Sequence, residues 1–295
     1  MTAILHSRRR LCDSAVGGEG DVMTWIHRGL ACAVATLASG AFAAAADTFR
    51  PVDVTRCGQF VRRGEVGTLR ADLHCTAAES SLGLTADGIL VDFGATLRLG
   101  GFTISGDGSG FGVECSSQGG RRRGWCVVEG PGEITNFFNG IDGGGGRVRL
   151  RNVTVHRNRN GMQYKAPYVI ELFGVVMSDN AELGMTSRGG IIRGSDVETS
   201  RNGVVGIMGP IARIARLTAM GNGRLGGAYV QRRGAARIVD SVITGNDGLS
   251  AGFDVLSIGP VKLRNTTCGR GARIRETLGG VETRTVLGTL PCAAD

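Results

Sequence analysis

Lys165 and Arg188 are two basic side chains 23 residues apart, each closing a short alternating stretch, "NGMQYK" and "LGMTSR". Held side by side, such a pair could neutralise a sugar carboxylate while the lysine removes the proton from the adjacent carbon. That chemistry needs burial or a neighbouring cation to bring the ammonium pKa well below its usual ~10.4. Alternation sends Met162 and Met185 to one side, and Gln163 and Lys165, with Thr186 and Arg188, to the other. Continued along the chain, the same strip passes Met208 and then Tyr229, Gln231 and Asp254. Gln163, Thr186, Tyr229, Gln231 and Asp254 are therefore the candidate substrate-binding residues. The Gly226-Gly227 doublet leaves the direction of Tyr229 open by one residue. Against catalysis, Lys165 is followed by Ala166 and Pro167, which reads as a strand end entering a loop, where water keeps the ammonium charged. No firm catalytic residue follows, and binding takes precedence over chemistry.

The elements that must position these side chains come from a repeat. Asn158, Asn180, Asn202, Asn222 and Asn246 are spaced by 22, 22, 20 and 24 residues. Aligned on them, Leu150, Leu172, Gly194, Ile214 and Ile238 form a column eight residues earlier. Val153, Val175, Val197, Leu217 and Ser241 form another, and Val155, Met177, Thr199, Ala219 and Ile243 a third. Asn152, Gly174, Asp196, Arg216 and Asp240 fill the slot between the first two columns, mostly with turn formers. Short alternating strands, polar turns and no helical period describe one coil of a parallel β-helix. "LRLGGFTISGDGSGFGV" and "GPGEITNFFNGI" extend the array backwards and "VKLRNTTCGRG" forwards, to about eight coils. The five asparagines are expected to form a structural ladder. Each would turn the chain in a left-handed conformation and bond its amide to the next asparagine, about 4.8 Å away. Glycines 161, 184, 206 and 252 are expected to permit turns.

Composition agrees. With 50 glycines and 5% aromatic residues, the 295-residue chain is built for many tight turns rather than for a bulky globular core. Residues 23–46 read as a signal peptide: His27 and Arg28 precede an apolar stretch from Gly29 to Phe42, then Ala44-Ala45-Ala46. Residues 1–22 are consistent with an upstream start-site artefact. The leader carries four arginines and three acids, so its removal takes the net charge from +8 to +7. A basic exported protein meets anionic polymers. Membrane association would follow only from an uncleaved leader. Six cysteines remain, and the sequence-neighbour pairs Cys57–Cys75, Cys115–Cys126 and Cys268–Cys292 are favoured because each closes a short loop. With no C-x-x-C motif, and only His74 and His156 beyond the leader, no metal or cofactor is implied. Nucleic acid is disfavoured by export and by the lack of aromatic platforms; the one basic run, Arg121–Arg123, reads as a solvated loop.

"LTADGILVDFGATLRLGGFTISG", preceded by the "CG…LRADLHC" stretch, resembles the opening of exported bacterial right-handed parallel β-helix proteins of the pectin-lyase-like superfamily. The resemblance covers residues 55 to about 270. It implies an all-β right-handed solenoid, with an N-terminal cap and first strands at 47–85, the helix at 86–270 and a C-terminal cap at 271–295. The superfamily includes uronate lyases, mannuronan epimerases, glycosidases and carbohydrate-binding proteins. Its calcium-dependent lyases carry clustered acids and its epimerases a DPHE-like motif, and neither pattern appears here. The expectation is a periplasmic or secreted, non-catalytic protein binding an acidic polysaccharide or envelope component along its flank. The alternative is a polysaccharide lyase or related carbohydrate-active enzyme acting on uronate polymers.

Overall fold

A computed structural model describes residues 49–76, 87–116, 124–165, 168–232, 234–277 and 283–292. The leader and the Arg121–Arg123 run lie outside these residues. The described chain is all-β and winds as a parallel β-helix with three faces. Face one stacks ten parallel strands: Phe60–Val61, Asp87–Asp92, Phe111–Ser116, Asn139–Gly144, Asn160–Lys165, Leu183–Arg188, Val205–Gly209, Ala228–Val230, Val255–Ser257 and Gly271–Thr277. Thr283–Leu290 turns back antiparallel onto the last of them. Face two runs from Arg50–Val54 to Val261–Arg264, and face three from Leu73–His74 to Thr267–Cys268. Faces two and three join into one 16-stranded sheet because Val169–Ser178, Ile191–Ser200 and Ile211–Met220 run through both without a break.

Those long strands bend where the sequence places its turn formers. Gly174, Asp196 and Arg216 take positive φ of 63°, 57° and 53°, as do Asn152, Asp240 and Asn265 in the same column. The turn into face one is built differently from the expectation. The left-handed residue is the one before each ladder asparagine: Arg157, Asp179, Arg201, Gly221 and Gly245. The asparagines do not make the bend; they satisfy the backbone around it.

The core fills the coil interior. Val153, Val175, Val197 and Leu217 are buried, as are Val155, Met177, Thr199, Ala219 and Ile243, and Val175, Val197 and Leu217 stand in register on successive rungs. Met162 and Met185 also point inward in register. Each asparagine amide donates to the next: Asn158 to Asn180 at 3.3 Å, then Asn180 to Asn202, Asn202 to Asn222 and Asn222 to Asn246, each at 2.9 Å. The second amide hydrogen returns to a strand carbonyl, as from Asn202 to Met177 at 2.9 Å. Both amide groups are thus used in a site that excludes water, which is the condition for a buried polar network to stabilise.

Gly161, Gly184 and Gly206 answer to space rather than to a turn. None has a left-handed φ, whereas Gly252 does, at 70°. A Cβ on Gly184 would run into the Gly206 carbonyl oxygen and stand 2.7 Å from the Asn202 amide. The glycines let each rung approach the asparagine ladder. The three disulfides, Cys57–Cys75, Cys115–Cys126 and Cys268–Cys292, close loops of 18, 11 and 24 residues. In a loop-entropy estimate each stabilises by roughly 3 kcal/mol.

Candidate functional site

Face one carries the sequence-predicted candidates, and the structure sorts them into two groups. Lys165 and Arg188 stand in register on adjacent rungs, both exposed, as do Gln163 and Thr186. Thr186 is nevertheless buried, 2% exposed. Tyr229 shares the outward column, in register with Met208 and Leu256, yet it is fully buried. A satellite apolar cluster of Val205, Leu225, Tyr229, Phe253, Leu256, Ala272 and Ile274 explains this. Leu225 and Phe253 come from the turns entering face one and fold over its outer surface. Tyr229 is therefore packing, not a ligand contact.

Asp254 is likewise not on an open face. At 2% exposure it terminates the asparagine ladder. Its Oδ1 accepts from the Asn246 amide at 2.8 Å and the Asn246 backbone at 3.0 Å. Its Oδ2 accepts from Gly269 N at 2.7 Å and Arg270 N at 3.3 Å. Gln231 stays partly exposed just beyond the strand, its N–H bonded to the Gly209 carbonyl. The open part of face one is thus its earlier half.

There the outward column reads Leu90, Glu114, Asp142, Gln163, Thr186, rung by rung in register. A groove of about 370 Å³ lies over its Asp142 and Gln163 rungs, lined by Gly108–Phe111, Phe138, Asn139, Asp142, Gln163 and Lys165. Asn139 donates to Asp142 Oδ1 at 3.0 Å and to Gln163 Oε1 at 3.3 Å, which fixes both side chains. The carboxyl of Glu114 titrates above its ordinary range, first because it is partly buried, then because Asp142 and Asp87 are close. Asp142 is raised by burial as well, although Lys165 and the Asn139 hydrogen bond pull the other way. Two partly desolvated acids beside a lysine, amide donors and an aromatic edge can bind sugar hydroxyls, and an acid of raised pKa can donate a proton.

No family model matches the chain, and no curated protein matches it. Among solved structures the chain is similar to the crystal structure of pectate lyase Pel9A, at 16% identity and a TM-score of 0.35, covering 75% of this chain and 64% of that one. The chain therefore spans under two thirds of that enzyme, and a likeness at this level bears on neither activity nor substrate. The parallel β-helix rests on the strand pairing itself.

A second groove, about 730 Å³, adjoins the first at Gly108. It is lined by Asp107, Asn136, Arg157, Arg159 and Glu182 among others. Arg159 pairs with Glu182 at 2.8 Å and lies 4.8 Å over the Phe138 ring, which is 38% exposed and lines the first groove.

Glu114 and Asp142 were missed in the sequence. Asp142 was legible: "NGID" and "NGMQ" align directly, placing it one rung before Gln163. Glu114 was not, because 28 residues rather than about 22 separate it from its register partner Asp142.

Proposed function

We propose that the protein is an exported, non-catalytic β-helix that binds an acidic glycan along face one. The observation that carries this is the convergence of Asp142, Gln163, Lys165 and Asn139 beside exposed Phe138 in one groove, with Arg188 in register at its edge. Asp142, Asn139 and Gln163 suit sugar hydroxyls, Phe138 an apolar ring face, and the Lys165–Arg188 pair an acid substituent. Three disulfides support an oxidising, extracytoplasmic setting. Among the described residues no helix is long and apolar enough to cross a membrane.

A glycan array followed by calorimetry with uronate oligosaccharides tests the reading. Lys165→Ala should weaken binding only modestly, roughly fivefold, because one exposed ion pair is worth no more than about 1 kcal/mol. Asp142→Asn should weaken it further by loosening Gln163 and Asn139. Failure of every acidic glycan to bind would overturn the proposal.

The Glu114–Asp142 pair favours a second reading, a carbohydrate-active enzyme using one raised acid as proton donor. Absorbance assays for unsaturated uronate products, together with reducing-end assays, separate the two. Steady product formation abolished by Glu114→Gln would replace the binding reading by the catalytic one.

A further inference from the structure

Face two carries an outward column that neither groove reaches. Register places Val127, Arg149, Glu171, Arg193, Arg213, Arg237 and Lys262 on seven successive rungs. In its earlier part the charges are balanced. Glu171 holds Arg149 at 2.6 Å, and Glu129, in the neighbouring column, meets Arg98 at 3.3 Å and Arg151 at 3.6 Å. From Arg193 onward the balance ends. Arg193, Arg213, Arg237 and Lys262 are all exposed, and among the described residues none lies within ion-pair distance of a carboxylate. Glu171, the register neighbour of Arg193, is held by Arg149, and acids of the adjoining turn are engaged as well. Asp196 is held by Arg216 at 2.5 and 2.7 Å, and Asp240 accepts from Asn265 at 2.8 Å.

Four like charges stacked about 4.8 Å apart repel one another in the free protein. An anion laid across them gains both the direct attraction and the relief of that repulsion. Three of the four are arginines, whose planar forks match a carboxylate with two parallel hydrogen bonds. The column runs along the solenoid axis, so a matching ligand is long, linear and charged at intervals close to one rung. The outward neighbours Ser195, Ala215 and Val239 are small or aliphatic, and the exposed Phe173 and Ile191 stand only at the start of the run, too few for a track of stacked bases or a lipid anchor.

We propose that this column is a second, separate binding surface, which docks a linear anionic polysaccharide bearing an acid on every sugar ring, aligned with the solenoid axis. It stands independently of the face-one groove. An alternating polymer, with an acid on every second ring, can satisfy only every second cation.

Alginate, charged on every ring, and hyaluronan, charged on alternate rings, serve as probes for the full disulfide-bonded protein. Alginate should bind more tightly than hyaluronan of equal length. The quadruple variant R193Q/R213Q/R237Q/K262Q, altered only at exposed positions, should keep the thermal midpoint and bind alginate about 30-fold more weakly, on the scale of four exposed ion pairs. Its affinity should also fall less steeply with salt, since fewer counterions are displaced. Made in the D142N/K165A background, where the face-one groove is already weakened, the same four substitutions should lower the remaining alginate affinity by the same factor, because the two surfaces act separately. The proposal is overturned if the quadruple variant retains parental affinity, if the two polymers bind equally, or if single-stranded DNA or anionic vesicles bind more tightly than alginate.

Discussion

Asp254 offers a one-atom test of how the ladder is held. Its carboxylate receives four N–H donors: the side chain and backbone of Asn246 on Oδ1, and the backbones of Gly269 and Arg270 on Oδ2. Asp254→Asn preserves shape but leaves one oxygen for four donors, so in either amide orientation two donors face an NH2 group. Each hydrogen bond to a charged acceptor contributes about 1.5–3 kcal/mol, so the loss should be about 3 kcal/mol after local relaxation. In a stacked-coil protein the damage should concentrate in the rungs after Asn246, because each rung contacts only its neighbours. Urea denaturation followed by circular dichroism measures the total. Hydrogen exchange over residues 255–277 measures its location. Asp247→Asn, exposed on the same connection, is the control and should change stability by less than ~0.5 kcal/mol. If Asp254→Asn matches that control, the carboxylate is not the terminus of the ladder's hydrogen bonding and the reasoning fails.

Gly184→Ala should destabilise by about 1–3 kcal/mol through overpacking against the Gly206 carbonyl. Gly144→Ala, whose nearest neighbour would be the Lys165 carbonyl at 3.6 Å, should be nearly neutral in the same urea titration. Glu114→Gln concerns pH. Glu114 binds its proton more tightly in the folded state than in the unfolded chain, because burial and then Asp142 and Asp87 oppose its charge. Its ionisation therefore weakens the fold as pH rises through the folded pKa, so Glu114→Gln should raise the melting temperature at pH 7. The gain should shrink as pH falls toward about 4, where glutamate protonates in the unfolded chain as well. A gain independent of pH, or a loss at neutral pH, would contradict that account.

Much of the architecture was legible in the chain because a solenoid repeats its local rules. A residue at a given slot meets its counterpart one rung away, so spacing alone places Val175 on Val197 and Asn180 on Asn202. The pairing of neighbouring cysteines followed for the same reason, since the partners lie within or beside one coil. The basic column was legible too. Arg149, Glu171, Arg193, Arg213 and Arg237 each stand nine residues before a ladder asparagine, although in one dimension these arginines look scattered.

Other features depended on structure beyond the repeat. Nothing in "GGAYV" or "AGFDV" says that the turns carrying Leu225 and Phe253 fold back over face one, burying Tyr229 and leaving Asp254 inside. Alternation tells inward from outward, but outward becomes solvent only if no connection covers it, and connections do not keep the period. The meeting of Glu114 with Asp142 likewise depends on how an irregular segment re-enters register. The sequence by itself determined the parallel coils, the ladder and the outward columns, since these follow from backbone spacing and side-chain alternation. Which outward residues stay open, and which acids come close enough to shift each other's protonation, was decided by the packing of the connections, and so by the tertiary structure alone.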